Sequence, residues 1–183
     1  MEPTTVIRTA RPPPSNPPQL MRFALCCLLI SFAISIASAE NWAHWRGPDA
    51  NGVAPTAKPP VTWSEKKNIR WKVPVDGSGA STPIIWKDKI FLLSVVDTGK
   101  IDPSLPRPED QPKRVFDITH PNTTYEFIVL CLDRKSGKTL WRKTATKMIP
   151  HEGTHRDNNF ASASPTTDGE RLYCWFGSAG LFC

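Results

Sequence analysis

A β-hairpin signal at residues 130–141 constrains this chain more than any other feature of its sequence. The apolar run 130–132 ends in Asp133, a tight turn follows at 135–137, and a second strand-like run ends in Trp141. The glycine of this turn supplies the positive φ that a tight turn needs, and two such runs joined by a short turn are typical of antiparallel β-structure. We therefore expect the neighbouring segments to form a sheet with this hairpin.

The first 39 residues have a composition unlike the rest of the chain. Residues 1–20 are rich in proline and cannot pack a core, so Met21 is an alternative start of translation. From Met21 onward a cation, an apolar run and a small-residue cleavage site predict a signal peptide over 21–39. The apolar run is shorter than the ~20 residues that span a bilayer. We expect a periplasmic or secreted protein with no stable membrane span after cleavage.

The composition favours β-structure and excludes few partners. Nineteen prolines and ten glycines argue against long helices, and no helical period of useful length follows residue 40. The formal net charge is +6, but the cations form no run in the sequence. A nucleic-acid footprint needs cations gathered on one face, so we expect an ordinary solvated surface and no nucleic-acid partner.

The remainder of the chain divides into a lead-in and a series of strands. Residues 40–68 are rich in turn formers, and we expect Trp42, Trp45 and Trp63 to pack this lead-in onto the folded body, with exposed binding aromatics as the alternative. A long proline- and charge-rich insert occupies residues 97–124. The predicted strands are residues 68–75, 81–86, 89–96, 125–133, 138–144, 163–167 and 171–176, and a further strand begins at 180.

Three cysteines, Cys131, Cys174 and Cys183, follow the predicted signal peptide. An exported protein meets an oxidising compartment, but an odd number of thiols cannot all pair within one chain. All three lie in apolar, strand-like contexts. We expect buried free thiols, because free cysteine is among the most buried residue types.

An internal repeat relates these strands to one another. Pro83 and Pro165 are each followed eight residues later by an aromatic residue, at an offset of 82 residues. The stretch 129–131 matches 181–183 at an offset of 52. Once the insert and a longer connector are allowed for, the unit is about 40 residues, close to the ~40–45 of a four-stranded propeller blade. The sequence thus predicts an all-β chain holding about two blades, with residues 81–144 as the first and a second, truncated one from 163.

In these residues the chain resembles a known family. Residues 132–141 are similar to the pyrroloquinoline-quinone (PQQ)-type propeller repeat, with a pattern of roughly L-D-x-x-[ST]-G-K-x-x-W, and the resemblance covers residues 41–183. It implies a ring of seven or eight blades, so residues 69–183 are expected to be the N-terminal part of a larger propeller whose remaining blades are its partners. It also implies that Asp133 caps the hairpin and that Trp141 lies between blades.

The resemblance implies two functions and does not choose between them. The first is a non-catalytic binding or assembly scaffold that engages a protein or a small-molecule ligand. The second is a periplasmic quinoprotein oxidoreductase with PQQ and calcium. No residue of this sequence matches the quinone or calcium positions by motif, so we assign no catalytic, cofactor-binding or metal-binding residue.

One literal motif match requires a decision. His151-Glu152-Gly153-Thr154-His155 has the H-E-x-x-H spacing that places two zinc ligands and a general base on one helical face. Pro150 and Gly153 disfavour a helix there. We expect a polar loop between two blades, with ligand or metal contact at the propeller face, or a zinc hydrolase site, as the alternatives.

Two further features of the insert are weighed in the same way. Its acids, Asp102, Glu109, Asp110 and Asp117, fit a solvated loop better than a calcium site. Asn122-Thr123-Thr124 is a glycosylation sequon to which we assign no role.

Overall fold

Four antiparallel strands form the larger of two sheets. The computed structural model describes residues 41–112 and 118–183. The strands of the larger sheet follow one another in chain order as β1 (Ile84–Trp86), β2 (Lys89–Ile101), β3 (Thr123–Asp133) and β4 (Thr139–Met148). These are the four strands that the sequence predicts for the first blade, with β1 shorter and β2 longer than expected.

Three short strands form the second sheet. They are β5 (Thr166–Thr167), β6 (Leu172–Trp175) and β7 (Leu181–Phe182), again antiparallel and in chain order. The described residues contain no α-helix, only two 3-10 turns at Pro108–Asp110 and Gly177–Ala179. The prediction of an all-β chain is confirmed. None of the described helical segments is long or apolar enough to cross a membrane.

The turn between β3 and β4 has the predicted chemistry. Gly137 adopts a φ of +74°, and the Asp133 carboxylate accepts hydrogen bonds from the Ser136 amide at 2.8 Å and from the Ser136 hydroxyl at 2.6 Å. A side-chain oxygen thus holds the backbone of the turn, as aspartate does in many tight turns. Asp133 caps the hairpin as expected.

The main core lies where the two sheets meet. Leu93, Phe127 and Val129 of the larger sheet are buried against Cys174 and Phe176 of the smaller one. The side chain of Trp141 joins this core to a second cluster around Ile84, Phe91 and Cys131. Interlocked aromatic and branched side chains stabilise the contact by apolar burial.

The opposite face of the larger sheet buries Ile128, Leu130 and Leu132. The chain that continues the lead-in to residue 78, which we include in the lead-in from here on, passes along this side. Trp71 and Val73 meet the turn at Gly137, and the Ser94 hydroxyl donates to the carbonyl oxygens of Asp76 (2.6 Å) and Ser78 (3.1 Å). Trp71 and Val73 are half-buried while Lys72 is exposed, which is the predicted alternation. Residues 68–75 form no strand, however, because no described strand supplies hydrogen-bond partners for their backbone.

The insert spans fewer residues than the predicted range 97–124. The β2–β3 ladder continues past a bulge to pair Ile101 with Thr123, so residues 97–101 and 123–124 belong to the sheet. The predicted strand 81–86 is instead shortened to β1. Ahead of β1, the Ser81 hydroxyl lies 3.4 Å from both the amide nitrogen and the carbonyl oxygen of Leu93 and replaces a backbone pair.

Some predictions concern residues outside the described part of the chain. These are the proline-rich segment 1–20, the signal peptide 21–39 and Asp117.

Candidate functional site

All the long connections leave the sheets at one end. The insert 102–122 joins the end of β2 to the start of β3, and the connector 149–165 joins the end of β4 to the start of β5. Because the strands are antiparallel, these segments and the β6–β7 turn 176–180 share what we call the long-loop end. The turns 87–88, 134–138 and 168–171 lie at the opposite, tight-turn end. Binding residues are concentrated on loops that a rigid scaffold positions.

The insert and the connector are packed together at the long-loop end. Gly153 lies so close to Thr119 that an added Cβ would overlap the Thr119 carbonyl. The Gln111 carboxamide pairs with the backbone of His120 as a peptide group would, donating to the carbonyl oxygen and accepting from the amide, both at 2.8 Å. The Gly153–Thr119 contact packs the connector on the insert, and the Gln111–His120 pair fixes the insert internally.

A cleft of about 300 Å³ opens between the connector and the second sheet. Glu152, His155, Asn158 and Asn159 contribute polar side chains to it, and Trp175 lines the other side. The Asn158 and Asn159 side-chain oxygens accept from backbone amides at 2.9 Å, so both carboxamides are held by the loop. This first cleft has the mixed polar and aromatic lining that is usual for small binding sites.

A second cleft of about 350 Å³ opens between the insert and the connector. Its lining is mainly apolar, with Leu105 and Ile149 beside two histidines, His120 and His151, and the prolines Pro106, Pro112, Pro121 and Pro150. Such a surface suits apolar or proline-containing ligands.

The two clefts separate the residues of the H-E-x-x-H match. Glu152 and His155 line the first cleft, whereas His151 lines the second, and the segment is not helical. Zinc chemistry of this type needs both histidines on one helical face. Among the described residues, no three His, Cys, Asp or Glu side chains are grouped to hold a metal ion. The motif match is a loop, as the sequence analysis expects.

The acids of the insert are engaged separately. Asp102 accepts hydrogen bonds from the amide and hydroxyl of Ser104, which hold its pKa below the ordinary value. Glu109 and Asp110 both pair with Arg107. A calcium site needs six or more oxygen ligands converging on one point. The described acids of the insert therefore do not form the calcium site that the resemblance allows.

The three cysteines differ in their surroundings. Cys131 and Cys174 are buried free thiols, as predicted, and burial raises both pKa values, that of Cys174 to about 12. Cys183 is exposed, so the prediction is wrong for this residue, which follows the last residue of β7. Asn122 of the sequon is buried, which keeps its amide from modification in the folded chain.

The three lead-in tryptophans also divide. Trp42 exchanges two backbone hydrogen bonds of 2.8 Å with Ile85, and Gly47 lies against its ring. Trp45 and Trp63 are exposed, and Arg46 stacks on Trp45 at 4.6 Å from the ring centroid. The prediction of packing is confirmed for Trp42 and is wrong for Trp45 and Trp63. The sequence of a turn-rich segment does not reveal which of its side chains the fold covers.

An ion-pair network holds the lead-in against β3 and β4. Arg142 donates two hydrogen bonds to the carboxylate of Glu126 at 3.0 and 3.1 Å, and it also approaches Asp76 of the lead-in at 3.7 Å. Thr144 donates to the same carboxylate. Hydrogen bonds from Arg142 and then Thr144 lower the pKa of Glu126 to about 2. The network is a structural clamp that the sequence did not single out.

Several cations lie near one another at the tight-turn end, where the turns also carry Asp88 and Asp133. Trp71 donates from its indole to the Arg134 carbonyl at 3.1 Å, which brings the lead-in beside the β3–β4 turn. Basic side chains from three separate segments therefore collect at the tight-turn end, namely Lys66, Lys67, Arg70, Lys87, Lys89, Arg134, Lys135 and Lys138. Sequence spacing hid this cluster, and only the tertiary contacts reveal it.

Searches against protein-family models, curated proteins and solved structures found no match to this chain. By its fold, the described part of the chain is an all-β protein of two packed antiparallel sheets with long loops at one end.

Proposed function

We propose that this chain contributes adjacent blades of a PQQ-repeat-like β-propeller that acts as an exported, non-catalytic binding or assembly scaffold. The observation that carries the proposal is a hydrogen bond between repeat-equivalent residues. The amide of Thr82 donates to the hydroxyl of Ser164 at 2.9 Å, and these residues are 82 positions apart, the offset of the sequence repeat. In a propeller, equivalent residues of neighbouring blades are related by rotation about the central axis, and they lie closer together the nearer they are to that axis. A direct bond between two equivalent residues therefore favours β1 and β5 as the innermost strands.

The turns that follow these two strands support the same relation. Lys87 and Gly169 are equivalent at the same offset, and both adopt a positive φ, +54° and +97°. The ring of Trp86 packs against Gly169, and the backbone of Ala43 bonds to Thr167 while Trp42 bonds to Ile85. The lead-in thus connects the inner strands of both sheets.

The second sheet has a face that repeats the buried face of the first. Phe91, Leu93, Val129 and Cys131 face the second sheet, and their equivalents are Tyr173, Trp175, Leu181 and Cys183. Trp175 and Leu181 are 57% and 69% exposed. An uncovered apolar face of this kind is expected where a further blade packs. The polar outer strand β4, with its Lys and Arg side chains, is typical of a protected sheet edge.

Binding rather than catalysis is the function that these contacts support best. The two clefts at the long-loop end are formed by loops that the core and the Gly153–Thr119 contact hold in place. A rigid scaffold presenting loops is suited to recognition. We assign the long-loop end as the recognition face.

The proposal is tested by site-specific photo-crosslinking in cells. A photoreactive side chain at Asn158, at the rim of the first cleft, should give discrete adducts that recur between preparations and disappear when Glu152→Ala alters the cleft. The matched position is Ala57, an exposed lead-in residue outside both clefts. Equal adducts from both positions would contradict recognition at the long-loop end.

The enzymatic alternative has its own assay. Purified protein is mixed with PQQ and calcium, and the quinone absorption band and dye reduction with alcohols or sugars are recorded. The scaffold proposal expects neither signal. A stoichiometric quinone band with calcium-dependent dye reduction would replace the scaffold by an oxidoreductase.

A further inference from the structure

We infer that residues 61–72 form a docking element for an anionic lipid surface. This segment, the lead-in hairpin, combines exposed apolar side chains with unpaired cations at the tight-turn end. The inference is independent of the proposed recognition face, which lies at the opposite end of the sheets.

The lead-in hairpin has a defined backbone. Ser64 and Lys67 exchange two backbone hydrogen bonds of 3.0 Å across the two-residue turn Glu65-Lys66. The Asn68 carboxamide donates to the Thr62 carbonyl at 2.7 Å and closes the base of the hairpin. Trp71 then anchors the segment to the β3–β4 turn through its indole hydrogen bond to Arg134. The segment is therefore a folded hairpin joined to the body of the protein at Trp71, rather than a free tail.

Apolar side chains on the hairpin are open to solvent. Val61 is 94% exposed, Trp63 70% and Ile69 48%. Three apolar residues within one short hairpin exceed the scattered exposure that is normal for surfaces. Tryptophan is enriched where one side of a ring meets hydrocarbon and the other meets water.

The cations beside these side chains are available for a partner. Glu65 is the only acid between residues 61 and 72, and it pairs with Lys72 at 2.9 Å. Lys66, Lys67 and Arg70 form no ion pair with any residue that the structure describes. The turn residues Arg134, Lys135 and Lys138 extend the positive surface next to the Trp71 anchor.

An anionic bilayer fits both halves of this surface. Its headgroups attract cations, and the acyl region beneath them accepts apolar side chains, which is the combination that interfacial protein segments use. An acidic polypeptide would satisfy the cations but offers no general place for Val61 and Trp63. The bases of a nucleic acid would stack on Trp63 but would leave Val61 without an apolar partner. The single hairpin is too small to span, so the association is peripheral.

The test measures the partitioning of the full chain onto vesicles of phosphatidylglycerol and phosphatidylcholine by co-sedimentation. Each Lys or Arg near an anionic surface contributes about a fivefold gain in partitioning, so Lys66→Gln, Lys67→Gln and Arg70→Gln together should lower it roughly 100-fold. The control removes three cations elsewhere, with Lys100→Gln, Lys143→Gln and Arg156→Gln. Both variants have the same net charge, and far-ultraviolet circular dichroism checks their fold.

A second variant separates lipid from other polyanions. Trp63→Ser should weaken vesicle binding several-fold and leave binding to poly-glutamate unchanged. We expect no binding to pure phosphatidylcholine and weaker binding at high salt. The inference is overturned if the control triple loses as much binding as the hairpin triple. It is also overturned if Trp63→Ser has no effect while poly-glutamate binds as tightly as the vesicles, since that result assigns the surface to an acidic protein.

Discussion

Gly137 is the position where a single methyl group should do most damage at the β3–β4 turn. The residue has a φ of +74°, and a Cβ there would lie 2.6 Å from Cε3 of Trp71 and 3.1 Å from Cγ1 of Val73. An L-residue in the left-handed region costs about 1–2 kcal/mol. Displacing the Trp71 ring loses its hydrogen bond to Arg134, worth about 1 kcal/mol, and part of its apolar burial. Gly137→Ala should therefore destabilise the protein by about 3 kcal/mol.

Gly99 provides the matched control for this substitution. It has a φ of +68°, but no atom lies within 4 Å of the position of its Cβ. Gly99→Ala should cost only the backbone term, about 1–2 kcal/mol. The assay is urea unfolding followed by circular dichroism, with thermal midpoints as a second readout, where 3 kcal/mol corresponds to roughly 10 °C.

A double substitution identifies the contact responsible. In the Trp71→Ala background the cost of Gly137→Ala should fall towards that of Gly99→Ala, because the overlapping ring has gone and only the 3.1 Å contact with Val73 remains. If the two glycine substitutions cost the same in the parent protein, the packing of Trp71 on the turn is refuted. The proposed path of the lead-in across the sheet is then wrong as well.

Three further predictions concern other contacts. The pKa of Glu126 is lowered to about 2 from 4.5, so its contribution to the free energy of unfolding is complete above pH 4.5 and is lost as the pH falls towards 2. Glu126→Gln should cost about 1–2 kcal/mol at neutral pH. It should also flatten the dependence of the urea midpoint on pH between 4.5 and 2. Gln111→Ala removes both hydrogen bonds to His120 and should speed hydrogen exchange of the His120 amide with little change in global stability. An equal exchange rate of this amide in the parent and the variant would argue against the pairing of Gln111 with His120. Among the cysteines of the described residues, Cys183 should react with a thiol reagent at pH 8 in the native state, while Cys174 should react only after denaturation, as peptide mapping would reveal.

The local elements of this fold could be read from the chain because their causes are local. Alternation of apolar side chains marks β2 and β3, and the turn at Gly137 is specified by a residue that tolerates positive φ and by the Asp133 carboxylate beside it. Strand ends were less predictable, since β2 continues to Ile101 only because Thr123 pairs with it. The strand expected over 68–75 does not form, because no described strand pairs with its backbone.

The candidate sites depended on contacts that no local pattern encodes. The spacing of His151 and His155 suggested one site, yet the packing of Gly153 on Thr119 directs the loop so that the two histidines line different clefts. Asn158 and Trp175 were not singled out, because a pair of asparagines and a strand-end tryptophan become a cleft only when the second sheet packs on the first.

The β class, the positions of the tight turns and the repeat that relates Thr82 to Ser164 all follow from residue type and spacing along the chain. Which surfaces are covered depends instead on how the sheets and the lead-in pack. Trp63 is exposed and Trp42 is not, although both lie in the same turn-rich lead-in. The gathering of cations at the tight-turn end was likewise settled by long-range packing, since electrostatic and hydrophobic surfaces depend on distances in space rather than on separation along the chain.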